Sequence, residues 1–133
     1  MKQVIIDGNN FSNLEGFFNE IERLLAPNHN WRIHAFNTFD DVLHGGYGFH
    51  EPFEELEITW INAAKSRKDL GYEETVRYLE SQVGTWLGIS SDSKVLADAR
   101  NHLGPTLFDQ IVEQITDSYN TGHVCSLTIK EGK

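Results

Sequence analysis

The sequence predicts an α/β protein of two layers, a three-stranded parallel sheet with helices packed mainly on one side. Three observations carry that expectation. Val4-Ile5-Ile6, the alternating Leu56, Ile58 and Trp60, and the run from Val124 to Ile129 have the lengths and residue types of strands. The segments between them place apolar residues at helical spacing, and strands separated by helices imply right-handed crossovers and parallel pairing. Three strands are also too few to be covered economically on both faces.

The first strand closes at Asp7-Gly8-Asn9-Asn10, a turn sequence, and reads as buried. Ser12 and Glu15 have the spacing of a capping box. Leu14, Phe17, Phe18, Ile21, Leu24 and Leu25 then follow helical periodicity until Pro27 stops it. A polar, aromatic loop runs from Asn28 to Phe36. Asn37 or Thr38 is expected to cap a short helix whose apolar stripe is Phe39, Val42 and Leu43. Gly45-Gly46 ends it, where a left-handed residue is wanted.

An acidic loop with Glu51, Glu54 and Glu55 leads into the second strand, where Glu57 and Thr59 alternate with the apolar residues. Ala63 to Leu70 reads as a short helix stopped by Gly71. A longer helix is expected from about Glu73 to Leu87, with Val76, Leu79, Val83, Trp86 and Leu87 inward and Gly88 as its stop. Residues 88–104 are the least readable, a loop with a short helix around Lys94 to Asn101. Pro105 suits the first turn of a last helix carrying Leu107, Phe108, Ile111, Val112 and Ile115, which Gly122 would end before the third strand.

At 133 residues, 39% hydrophobic and 23% charged, the chain has the composition of one globular domain spanning residues 1–133. Eleven Lys and Arg against 20 Asp and Glu leave a formal charge of −9. Such a surface repels phosphate backbones and anionic lipid and attracts a basic partner, so neither a nucleic-acid binder nor a membrane-surface protein is expected. Cys125 is the single cysteine, which precludes an intrachain disulfide and fits a reducing compartment. There is no apolar run of about 18 residues, and Asp7 interrupts the N-terminus too early for a signal-peptide core. A cytoplasmic location is expected.

Catalytic motifs are lacking: there is no P-loop, dinucleotide-binding, nucleophile-elbow or H-E-x-x-H pattern. Gly45-Gly46-Tyr47-Gly48 follows a helix rather than a strand, on the wrong side to cradle a phosphate. His29, His34, His44 and His50 cluster in sequence, but no spacing matches a zinc pattern, and no metal or cofactor is expected. Asp40-Asp41 has two readings. Acids in the first turn of a helix stabilise it against its own dipole. Alternatively they project toward a cationic partner, with Trp31, Phe36, Tyr47 and Phe49 nearby as aromatic anchors and Arg32 as the only positive charge from Pro27 through Phe53.

The segment Asn37-Thr38-Phe39-Asp40-Asp41-Val42-Leu43-His44-Gly45-Gly46-Tyr47-Gly48 resembles the short acidic inhibitory helix and Gly-Gly-aromatic turn of the barstar-like family. Ile58-Thr59-Trp60-Ile61-Asn62 and Ser66-Arg67-Lys68-Asp69-Leu70-Gly71-Tyr72 look like the second strand and following helix of its longer members. The stretch from Leu107 to Ile129 looks like the last helix and strand, while residues 88–104 read as an insertion without a counterpart. The resemblance implies a three-stranded parallel sheet, no enzymatic activity, and a monomer when free. It also implies 1:1 inhibition of a basic ribonuclease, whose active site the acidic helix and preceding loop would plug.

On that resemblance, Asp41 aligns with the acid that enters the phosphate pocket, and Trp31 with an aromatic contact of the loop. Asp40 adds charge, Asn37 a hydrogen-bonding contact, Tyr47 an apolar anchor, and His44 completes the partner-binding set. Asn37 stands where the family has a second acid, Asp40 where it has an aromatic, and Ile33-His34-Ala35 replaces a Gly-Glu-Asn stretch. The alternatives are an immunity or regulatory module of the same fold with an unrelated toxin as partner, and, more distantly, a small His-dependent metal hydrolase.

Overall fold

A computed structural model describes residues 2–27, 33, 35–84, 90, 93–117 and 124–132. The strands are β1 (Lys2–Asp7), β2 (Leu56–Ile61) and β3 (Cys125–Ile129), and the helices are α1 (Leu14–Leu25), α2 (Phe36–His44), α3 (Ala63–Asp69), α4 (Tyr72–Ser81), α5 (Lys94–Arg100) and α6 (Leu107–Thr116). The strands pair in the order β1-β2-β3, parallel throughout, which is the predicted fold class.

The register places Val4, Ile58 and Leu127 side by side, and likewise Ile6, Trp60 and Ile129. This face packs on the helices: Val4, Ile6, Leu56, Ile58 and Trp60 are buried. The opposite face carries Gln3, Glu57, Thr59, Ser126 and Thr128, with Ile5 57% exposed among them. Ile5 therefore departs from the expectation of a buried first strand. Successive strand residues point to opposite faces, so a run of three apolar residues cannot all face one layer.

Trp60 sits at the centre of the core, fully buried. Phe17 of α1 stacks on it at 5.3 Å, Phe108 of α6 lies 4.9 Å away, and its Nε1–H donates to Ser66 Oγ at 3.0 Å. Leu107, Phe108, Ile111 and Ile115 of α6 are buried as predicted. Leu96 and Ala99 of α5 form a smaller cluster with Leu79 of α4, which gives residues 94–100 a packing role that their sequence did not disclose.

Several helix ends differ from expectation. Asn13 caps α1, its Oδ1 accepting from the Gly16 N–H at 2.8 Å, while Ser12 Oγ accepts from Lys65 and Glu15 pairs with Arg77. Thr106 caps α6 in a reciprocal box with Asp109, and Pro105 precedes the cap instead of opening the helix. The expected helix to Leu87 ends at Ser81, and Gly84 takes a positive φ of 77°. Trp86, Leu87 and Gly88 lie outside the described residues, as does Gly122; α6 already ends at Thr116. Among the described residues, no helix is long and apolar enough to cross a membrane.

Candidate functional site

Helix α2 begins at Phe36, earlier than a cap at Asn37 or Thr38 would allow. Ala35 takes the extended cap conformation. Thr38 Oγ1 reaches back to accept from the Ala35 N–H at 3.2 Å and donates to the Ala35 carbonyl at 2.8 Å. Thr38, Phe39, Val42 and Leu43 are buried, so the stripe Phe39, Val42, Leu43 anchors the helix as predicted. Residues four apart share a helix face. Asn37 and Asp41 therefore lie together on the exposed side, and Asp40 and His44 lie together beside them, both half-buried.

This frame changes the meaning of the two acids. Asp40 and Asp41 are the fifth and sixth of nine helical residues, and the first turn of α2 carries no acid. Dipole stabilisation requires an acid in that first turn, so this explanation does not hold for either residue. Toward the other end of the helix, where carbonyls point outward, a carboxylate is mildly disfavoured. Asp40 has local company: its carboxylate is 3.7 Å from His44 Nδ1, which donates to the Asp40 carbonyl at 2.9 Å. Among the described residues Asp41 makes no ion pair or hydrogen bond, and it is exposed.

The segment after α2 folds back as a clamp on its C-terminal end. Helix ends leave carbonyls unsatisfied, and here three of them find donors. The Gly45 N–H reaches the Val42 carbonyl at 3.2 Å, the His50 Nε2–H the Leu43 carbonyl at 3.2 Å, and the Phe53 N–H the His44 carbonyl at 2.7 Å. A further bond joins the Gly46 N–H to the His50 carbonyl at 2.7 Å. Gly45 and Gly46 have φ of 95° and 92°, and a Cβ on Gly45 would stand 2.2 Å from the Glu51 carbonyl oxygen. The predicted helix stop is thus also a point of close backbone approach.

Glu51-Pro52-Phe53-Glu54 then forms a tight turn closed by the Glu54 N–H on the Glu51 carbonyl at 3.0 Å. Glu54 Oε1 accepts from the Glu51 N–H at 3.0 Å, which holds its carboxyl below the ordinary carboxylate value. The cleft against Gly46 and Gly48, about 410 Å³, is lined by Glu51 and Glu54 with Lys2 as its cation. Two carboxylates make it a poor cradle for phosphate.

The structure thus brings Asn37, Asp40, Asp41 and His44 onto one side of α2. Tyr47 is half-buried and packs partly against the core, which reduces the ring area available as an anchor. Trp31 lies outside the described residues, as do His29 and His34. His44 and His50 bond to backbone carbonyls, and among the described residues no three His, Cys, Asp or Glu side chains group as metal ligands. Sequence reasoning did not place Glu51, Phe53 and Glu54 among the candidate site residues; the clamp brings them against the end of α2. Pro52 was their available signal, since proline favours the second position of a turn.

Cys125 on β3 lies behind the helix, half-buried, its Sγ 4.0 Å from the Leu43 carbonyl. Burial pushes its thiol up to about 12, with the Asp40 charge adding to the effect. Fold and site together define a two-layer α/β protein that presents an acidic helix with hydrogen-bonded last carbonyls. No family model, curated protein or solved structure matches the chain.

Proposed function

We propose that the chain is an inhibitor that binds a basic ribonuclease 1:1, covering its active site with the outer side of α2 and the clamp behind it. Asp41 takes the place of a substrate phosphate, Asp40 adds to the field, and Asn37 and His44 supply hydrogen bonds at the margin. The observation that carries this reading is the position of Asp41. It is an exposed carboxylate without a partner among the described residues, in the half of the helix where the dipole disfavours it. Internal stability gives no reason for an acid there, and a cationic partner does. The clamp on the last carbonyls of α2 fixes the helix end beforehand, which lowers the ordering cost of binding. The likeness to barstar-like sequences supplies the partner's class, and the formal charge of −9 suits a basic protein.

Stopped-flow association with a catalytically inactive basic ribonuclease of the barnase type, without metal, tests the reading. The on-rate should fall steeply as ionic strength rises to physiological values, where screening acts within about 8 Å. An on-rate indifferent to salt over that range would overturn it.

A further inference from the structure

Phe53 is the most exposed large apolar residue of those described, at 67%. It occupies the third position of the Glu51–Glu54 turn with φ of 62°. That position in a turn of this sign belongs to glycine or asparagine, and a bulky residue there is a conformational outlier. The contrast with the other positive-φ residues is informative. Asn62 and His102 are of types that tolerate the left-handed region, and phenylalanine is not. Among the described residues its one ring contact is with His44, edge to face at 5.8 Å. A strained turn, bonded to the end of α2, therefore holds an aromatic ring in solvent beside the acidic helix.

We propose that Phe53 is an aromatic anchor of the partner interface, its ring seated on a cationic protein surface against an arginine or lysine side chain. This rests on the reading of α2 as the binding side. Charge complementarity selects the occupant: residues 35–55 contain no Lys or Arg but do contain Asp40, Asp41, Glu51, Glu54 and Glu55, against which Lys2 is the one cation lining the adjoining cleft among the described residues. A cationic side chain drawn to these carboxylates meets a ring whose π-face attracts it further. An apolar centre within a charged rim is also the usual composition of an interface.

Titration calorimetry and thermal melts on the wild type, Phe53→Gly, Phe53→Tyr and Asp41→Asn, with the inactive barnase-type ribonuclease as probe, test the inference. Phe53→Gly suits the backbone and should melt within a few degrees of wild type or above it. Its Kd should nonetheless weaken about tenfold or more. Phe53→Tyr keeps the ring and should bind within about threefold of wild type. Phe53→Gly binding as tightly as wild type, while Asp41→Asn binds weakly, would overturn this inference and leave the inhibitor reading standing. A clearly lowered melting temperature for Phe53→Gly would overturn it also, by making the ring structural. No binding by the wild type would instead remove the inhibitor reading, and the role of Phe53 with it.

Discussion

Asp41→Asn separates a structural carboxylate from a binding one by the sign of its effect. Asp41 stands sixth of nine residues in α2, three before its last residue, exposed and without an ion pair among the described residues. The substitution nearly preserves shape and helix propensity, so charge is the main change. A carboxylate near the C-terminal end of a surface helix is disfavoured by about 0.3–1 kcal/mol. Removing it should therefore stabilise the protein by up to that amount, equivalent to about 1–4 °C in melting temperature at this size. In urea melts the gain should vanish at about 1 M salt, where screening shortens to about 3 Å. Had the acid stood in the first turn, the same change would lower stability by a similar amount. Against a basic ribonuclease, Asp41→Asn should lose about 2–5 kcal/mol of affinity, because the partner's buried cations are left without a counter-charge. A loss of more than about 0.5 kcal/mol in stability, with affinity unchanged, would refute the reasoning.

Three further outcomes are expected. Gly45→Ala forces a side chain into a positive-φ position and sets its Cβ 2.2 Å from the Glu51 carbonyl, so a urea melt should show about 1–3 kcal/mol or more of destabilisation. Burial pushes the Glu74 carboxyl up, but the Arg77 guanidinium and the Leu14 N–H at 2.8 Å outweigh it and hold the group below the ordinary carboxylate value. Its stabilising contribution is complete above about pH 4.3 and is lost as pH falls through the lowered value, so Glu74→Gln should flatten the acid limb of stability against pH. Cys125 should react slowly with a thiol reagent at neutral pH, since its thiol is pushed up to about 12; Asp40→Asn should quicken the reaction, and equal rates would remove the charge effect of Asp40.

Those parts of the molecule that depend on local periodicity were legible in the sequence. Leu56, Ile58 and Trp60 read as a half-buried strand, and Phe39, Val42 and Leu43 as one side of a helix, because burial imposes a period of two or 3.6 on neighbouring residues. Gly45-Gly46 was legible as a stop because few other residues adopt positive φ. Order alone suggested the parallel sheet, since strands separated by helices run the same way. The acidic character of the α2 region was equally plain, but charge along a chain does not say which way a carboxylate faces.

Only the tertiary structure decided that. Thr38 bonding back to Ala35 moved the start of α2 to Phe36, and so took Asp40 and Asp41 out of the stabilising first turn. Which polar residue caps a helix depends on a balance of about 1 kcal/mol between neighbours, and packing elsewhere settles it. The same holds for Asn13 against Ser12. The clamp of Gly45, His50 and Phe53 on the last carbonyls of α2 joins residues up to nine apart without periodicity of any kind. Its logic is that buried backbone groups must find partners, a condition met in space rather than along the chain. Sequence thus determined which elements form and which sides they bury. The fold decided which carboxylate is left exposed without an ion pair among the described residues, because that depends on the bonds every neighbour has already made.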